Sequence, residues 1–142
     1  MRAAVSHEHT IRTPVEVEGV GLHTGVRSRV RLVPAPPGTG IVFRRTDLDN
    51  FEVEARAANI ARVSYATSLM KTGVLISTTE HLLAALYGFG IDNVYVELDN
   101  LEVPILDGSA RPFAELLAAA GRARQRRRRR YLEVVEPVEV VE

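Results

Sequence analysis

The first third of the chain alternates apolar and polar residues with a period of two. From Thr10 onward, small or apolar residues lie on one side and charged residues on the other: Ile11, Thr13, Val15 and Val17 against Arg12, Glu16 and Glu18. The alternation resumes at Val26, where Ser28, Val30 and Leu32 face away from three arginines. A period of two is typical of a β-strand with one buried face. The pattern therefore predicts two strands joined by the glycine-containing loop GVGLHTG, residues 19–25.

The next part of the chain also favours short strands. The segment PAPPGTG, residues 34–40, has three prolines and two glycines and predicts a rigid turn. The segments IVFRR and FEVEA, which follow it, have the composition of two further strands. Residues 58–72 combine short apolar and polar pieces, for which we expect short strands. The first half of the chain is thus predicted to be mostly β-structure.

Helix signals begin at Ser77. Ser77 and Glu80 have the spacing of a capping box, and Leu82, Ala85 and Leu86 form an apolar stripe, so we expect a helix over residues 78–87. NVYVEL, residues 93–98, predicts a strand. Residues 107–109 precede a second helix that tolerates Pro112 in its first turn. The buried face of that helix is predicted to contain Phe113, Leu116, Leu117 and Ala120.

This order of elements predicts an α+β domain. Strands come first and are followed by helix, strand, helix and strand, an order that favours a small mixed or antiparallel sheet covered on one face by two helices. The length of 142 residues, with 46% hydrophobic and 25% charged residues, is that of one globular domain with a single core.

Composition restricts the possible chemistry and location. The chain has no cysteine, which excludes disulfides and thiolate ligands, favours a reducing compartment, and leaves nitrogen and oxygen as the only metal donors. It has no apolar stretch of about 18 residues and no secretory signal at its start. We therefore expect a cytoplasmic protein without a transmembrane segment.

Glu80 and His81 can be interpreted in two ways. Glu80 can belong to a capping box and His81 can be an ordinary polar residue at a helix end, which is the commoner situation. A carboxylate beside an imidazole is also the pair used when a metal ligand works with a proton-transfer group. The zinc-protease motif HExxH is absent. His7 and His9, near the terminus, are expected to lie in a solvated tail.

Two other segments are candidate sites. The glycines of GVGLHTG do not have the GxGxxG spacing, which argues against dinucleotide binding, and His23 in this loop can simply be exposed. Seven of the nine residues 122–130 are arginine, whereas the rest of the chain has 11 basic against 18 acidic side chains. Such a run can bind phosphates, but it is more often a solvated linker, and we predict no nucleic-acid binding.

Four collinear strings identify a family resemblance. They are GVGLHTG at 19–25, RRTDL at 44–48, STTEHLLAALYGFGIDN at 77–93 and EVPILDGSARPF at 102–113. Together they resemble the UDP-3-O-acyl-N-acetylglucosamine deacetylase family, zinc enzymes of lipid A biosynthesis. The resemblance covers about residues 10–140. It implies that His81 is a Zn²⁺ ligand, that Glu80 is the general base and that His23 lines the active site. The EVPILDGSARPF segment is interpreted as supporting the fold rather than taking part in catalysis.

The resemblance also implies a family with two similar domains and an active site between them. We expect this chain to supply the first domain: a disordered tail over residues 1–9, the domain over 10–121, an Arg-rich linker over 122–130, and over 131–142 the first strand of a missing second domain. The remaining zinc ligands and the general-acid histidine are expected in that second domain, in cis or in trans. The chain alone is therefore predicted to be inactive on the UDP-3-O-acyl-N-acetylglucosamine substrate.

Two alternatives remain open from the sequence. The chain can be a non-catalytic binding module that uses the Arg run or an exposed C-terminal strand. It can also be a structural remnant that only folds.

Overall fold

The computed structural model describes residues 6–62 and 64–141. Its strands are β1 (His7–Ile11), β2 (Val15–Val20), β3 (Arg27–Pro34), β4 (Ile41–Arg45), β5 (Phe51–Glu54), β6 (Ile60–Arg62), β7 (Ser68–Lys71), β8 (Val74–Ile76), β9 (Val94–Leu98) and β10 (Arg122–Arg128). The helices are α1 (Glu80–Gly88) and α2 (Arg111–Ala120), and single 3₁₀ turns lie at Thr46–Leu48 and Ala57–Asn59.

The main sheet has five strands in the order β2-β3-β9-β4-β5. All its neighbours are antiparallel except β4 and β9, which run parallel, so the sheet is mixed. A second sheet contains β6, β7 and β8, and a third pairs β1 with β10. The predicted α+β class with two helices is confirmed.

One face of the main sheet is buried because its strands alternate as the sequence predicts. Side chains at alternate positions of β3 and β9 are fully buried, whereas the intervening positions carry Arg31 and Glu97, whose side chains pair at 3.2 Å. The buried side chains meet those of the two helices in one core: Val30, Leu32, Phe43, Val94, Val96, Leu98, Leu82, Leu86, Phe113 and Leu117. Removing these side chains from water stabilises the fold by roughly 1.5 to 3 kcal/mol for each large one.

The helices have the predicted apolar faces but not the predicted start of α1. Leu82, Ala85 and Leu86 are buried, as expected from their spacing. In α2, Phe113, Leu117 and Ala120 are buried, whereas Leu116 is only partly buried. The helix begins at Glu80, two residues later than predicted, and its N-cap is Thr79, whose side chain makes no capping hydrogen bond. The backbone of Ser77 is instead bonded to the segment after β9, through Leu101 O and the Val103 amide. The predicted capping box is therefore wrong.

Two predicted irregular segments are strands. His7–His9, expected in a disordered tail, belong to β1, and most of the expected Arg-rich linker forms β10, which pairs with β1. Residues 1–5 of the expected tail lie outside the described residues. Local sequence gives no sign of this pairing because more than 100 residues separate the two strands.

The alternation of β10 explains how a strand can contain so many arginines. On one side, Arg127 pairs with Glu8 at 3.2 Å, and Arg129, just after the strand, makes a bidentate pair with Asp92 at 2.7 and 2.8 Å. Gln125, on the same side, donates to the Ala35 carbonyl. The alternate side chains of Gln125, Arg127 and Arg129 thus help to fix the strand to the domain.

Asn93 is the centre of a buried polar cluster at the start of β9. Its Oδ1 accepts from the Gly40 amide, and its Nδ2 donates to Glu8 and Gln125, each at 2.8 Å. Glu8 also accepts from the amide of Gly38 in the proline-rich turn. One side chain, only 1% exposed, therefore connects β9, β1, β10 and that turn.

Residues 131–141 are exposed and form no strand. The strand predicted there is not formed in this chain, since none of the described strands pairs with it. Within the described part of the chain, neither helix is long and apolar enough to cross a membrane.

The buried position of Asn93 generates a stability prediction. We expect Asn93→Ala to lower the free energy of unfolding by about 3 kcal/mol, because each buried partner left unsatisfied costs roughly 1 to 3 kcal/mol. Urea unfolding at pH 7 measures this change. Asn100→Ala is the control, since that side chain accepts one local bond from the Leu101 amide and should cost about 1 kcal/mol or less. Equal losses in the two variants would contradict the role given to the cluster.

Candidate active site

The first turn of α1 presents Glu80 and His81 with opposite exposures. Glu80 is exposed, and its Oε1 accepts a hydrogen bond from the Thr67 amide. His81 is only 7% exposed and points toward the core. A carboxylate that is oriented by an amide and still reached by water can accept a proton from that water.

The His81 ring is held by two contacts from the segment 102–113. Its Nε2 lies 2.8 Å from the Pro104 carbonyl oxygen, and its ring packs edge-on against Phe113 with centroids 5.2 Å apart. Because a carbonyl only accepts, Nε2 carries the hydrogen, and Nδ1 is then the nitrogen with an available lone pair. Fixing one ring nitrogen on a carbonyl is how proteins orient a metal-binding histidine.

Thr78, two residues before the start of α1, has an unusual backbone. Thr78 has φ of 59°, in the left-handed region that a β-branched residue seldom adopts. The Thr78 hydroxyl donates to Glu102 Oε1 at 2.8 Å, and Thr79 bonds the Thr67 carbonyl through its amide and its hydroxyl. These bonds hold the strained turn from which Glu80 and His81 project, and such strain is concentrated at functional sites.

Glu102 is a buried carboxylate that the sequence analysis did not single out. It is 1% exposed, and its two oxygens accept from the amides of His23 and Thr24 and from the Thr78 hydroxyl at 2.8 to 3.0 Å. Burial raises its pKa, but the hydrogen bonds from His23, Thr24 and Thr78 outweigh burial and lower the pKa to about 2. The sign of this buried carboxylate in the sequence is a single acidic residue within the apolar run LEVPIL, residues 101–106.

His23 lies at the tip of the glycine loop. Its side chain is exposed and lines a cavity of about 430 Å³ with Tyr65, Ser68, Met70, Leu75 and Ser77. Glu80 and His81 do not line this cavity. The structure therefore links the His23 backbone to the Thr78 turn through Glu102, but it does not place the His23 ring in one cluster with His81.

The described residues do not make a complete metal site. Across residues 6–62 and 64–141, no three histidine, aspartate or glutamate side chains are grouped so that they could hold a metal ion. A catalytic zinc normally has three protein ligands. His81 can supply one, so this chain does not fit a closed zinc site by itself.

The pKa of Glu102 predicts how stability depends on pH. Because folding lowers this pKa from 4.5 to about 2, the ionised group contributes about 3 kcal/mol to stability above pH 5, and this contribution is lost as the pH falls toward 2. Glu102→Gln should therefore be less stable at pH 7 and should lose less stability than the unmodified chain between pH 5 and pH 3. Urea unfolding at several pH values measures both effects.

Glu133→Gln is the matched control, since Glu133 lies in the exposed segment 131–141. It removes the same charge and should leave the pH dependence unchanged. Parallel stability profiles for the Glu102 variant and the unmodified chain would contradict the prediction.

Comparison with known proteins identifies relatives of this chain. A family model described as LpxC, UDP-3-O-acyl N-acetylglycosamine deacetylase, matches residues 8–142. A UDP-3-O-acyl-N-acetylglucosamine deacetylase of Solibacter usitatus is 62% identical over 133 residues, which cover 94% of this chain and 45% of that protein. Proteins of the same name from Marinobacter nauticus and Myxococcus xanthus are 46% and 47% identical, over 95% and 100% of this chain.

The chain spans about 45% of the length of these curated relatives. The family model nevertheless matches almost the whole of the sequence, including every segment that holds Glu80, His81, His23 and Glu102. The chain therefore belongs to the UDP-3-O-acyl-N-acetylglucosamine deacetylase family.

Proposed function

We propose that this chain is the N-terminal part of a zinc-dependent deacetylase acting on UDP-3-O-acyl-N-acetylglucosamine, with Glu80 as general base and His81 as one zinc ligand. The observation that carries the proposal is the first turn of α1. There an exposed carboxylate adjoins an imidazole whose Nε2 is fixed on the Pro104 carbonyl, so that Nδ1 is available. Family membership and the names of the relatives support the substrate and the reaction.

In this proposal Glu80 accepts a proton from the water that attacks the acetamide carbonyl. The Thr67 amide orients the carboxylate, and the exposure of Glu80 lets water reach it. The C–N bond then breaks, acetate leaves, and the glucosamine nitrogen takes up a proton to leave as an amine. The acid that donates this proton is assigned to the second domain. A bound zinc ion would polarise the carbonyl and lower the pKa of water at such a site.

The second domain is proposed to complete the site. His81 supplies one ligand, and two more are needed for a catalytic zinc. Segment 131–141 carries exposed apolar side chains, with Leu132 at 92% and Val135 at 84% exposure, as expected of a strand whose sheet is formed by other residues. We therefore assign residues 7–130 to the N-terminal domain and the following residues to the first strand of the next. The cysteine-free sequence agrees with a cytoplasmic location.

The activity test joins this chain to the C-terminal remainder of the Solibacter usitatus deacetylase. We expect the fusion protein to release acetate from UDP-3-O-acyl-N-acetylglucosamine and the 142-residue chain to release none above background. Glu80→Gln in the fusion should lower kcat by about 100-fold or more, because general bases contribute 10² to 10⁴ to the rate. Glu115→Gln is the control, since Glu115 is exposed on α2 and pairs with Arg111. A folded fusion without activity, or unchanged turnover in Glu80→Gln, would refute the proposal.

Zinc content provides a test that does not depend on activity. We expect about one zinc per fusion protein after dialysis, a substoichiometric amount in the 142-residue chain, and a marked loss of zinc in the fusion carrying His81→Gln. Elemental analysis by mass spectrometry measures all three. Tight stoichiometric zinc in the chain alone, or full zinc retention by the His81 variant, would contradict the assignment.

A further inference from the structure

We propose that Glu102 is a positioning residue: its carboxylate fixes the glycine loop 19–25, with His23 at its tip, relative to the turn that carries Glu80 and His81. The catalytic meaning of this role rests on the proposed function. The geometric part, that Glu102 holds the loop in place, stands on the contacts alone.

The carboxylate binds both segments at once. Oε1 accepts from the His23 amide at 3.0 Å and from the Thr78 hydroxyl at 2.8 Å, and Oε2 accepts from the Thr24 amide at 2.8 Å. Thr78 precedes Glu80 by two residues in the chain. A single buried group therefore spans the distance between the His23 loop and the start of α1.

The backbone around Glu102 is also hydrogen-bonded on both sides, to the segment before α1 and to the start of the glycine loop. The Ser77 amide donates to Leu101 O, and the Val103 amide donates back to Ser77 O, at 2.8 and 3.1 Å. On the other side, the Ile105 amide donates to Val20 O at 3.0 Å. Together with the bond from His81 to Pro104 O, these contacts make segment 101–105 a connector between the glycine loop and the α1 start.

The Glu102 carboxylate lies close to the backbone of the glycine loop at Gly21. A Cβ atom at this position would lie 2.3 Å from Glu102 Oε2 and 2.5 Å from the Thr24 hydroxyl. Gly21 is not among the residues with positive φ, so the backbone itself tolerates a side chain there. A Cβ at position 21 would therefore have to displace the Glu102 carboxylate.

The charge at this position does more than stabilise the fold, because its three hydrogen bonds join two segments that are far apart in the chain. Burying a carboxylate is costly unless several hydrogen bonds compensate. A carboxylate can accept from three donors of two segments, whereas a glutamine amide would turn its own N–H groups toward some of them. The ionised carboxylate is therefore the form of Glu102 that can hold the loop and the turn before α1 together.

The first measurement is amide hydrogen exchange, followed by NMR on the 142-residue chain. Glu102→Gln should accelerate exchange at His23, Thr24 or both by about tenfold or more, since glutamine keeps only one acceptor oxygen and its NH₂ group cannot accept from the amide that it faces. Gly21→Ala should have the same effect because its methyl group displaces the carboxylate. The double variant should be no worse than the more affected single one, since both changes break the same interaction.

The control is Asn93→Ala, which disrupts the other buried polar cluster. It should accelerate exchange at His23 and Thr24 only as much as its own loss of global stability predicts. In the Glu102 and Gly21 variants, exchange at these two amides should be faster than their loss of global stability predicts. The proposal is overturned if the loss of global stability explains the exchange rates at His23 and Thr24 in all three variants. It is also overturned if the effects of Glu102→Gln and Gly21→Ala on exchange add fully. In either case Glu102 is only a structural residue.

The second measurement is steady-state kinetics of the fusion protein with the same variants, at a temperature where all are folded. Glu102→Gln and Gly21→Ala should lower kcat by about tenfold to 100-fold and change KM little, since displaced catalytic groups cost that much. Asn93→Ala should retain kcat within about twofold. Normal kcat in the Glu102 variant overturns the catalytic role. An inactive unmodified fusion refutes the deacetylase proposal, and the exchange experiment then still decides whether Glu102 holds the loop.

Discussion

Strand β9 is the element on which the rest of the domain depends. It pairs with β3 on one side and β4 on the other, and its three buried side chains, Val94, Val96 and Leu98, lie in the middle of the core. A buried polar side chain stands at each end of it. Asn93, just before the strand, connects it to β1, β10 and the proline-rich turn, whereas Glu102, shortly after it, connects it to the glycine loop and the turn before α1. The apolar centre gives stability, and the two polar ends fix which loops meet there.

The segment after β9 determines the geometry of the candidate site. Glu102 binds the loop of His23, Pro104 binds the ring of His81, and Phe113 packs against that ring. This segment contributes no proton-transfer group of its own to the proposed reaction. Its contacts restrict the positions of the residues proposed to do so.

Much of the fold could be predicted from local patterns. Period-two alternation predicted β3, the segment NVYVEL predicted β9, and the spacing of Leu82, Ala85 and Leu86 predicted the buried face of α1. The pairing of β1 with β10 could not be predicted, because it depends on contacts between residues more than 100 positions apart. The capping box failed for a related reason: the Ser77 backbone is bonded to the segment after β9, so a competing tertiary contact decided where the helix begins.

The sequence by itself determined the residue types of the site and the family. Glu80 and His81 are adjacent in the chain, so their proximity needs no folding, and the four motifs are readable as strings. The tertiary structure alone decided that Glu80 faces solvent while His81 is buried against Pro104 and Phe113, and that a carboxylate at position 102 reaches the His23 loop. The physical reason is that the exposure and the hydrogen-bond partners of a side chain depend on contacts between segments that are distant in the chain. His23 and Glu102, for example, are 79 positions apart.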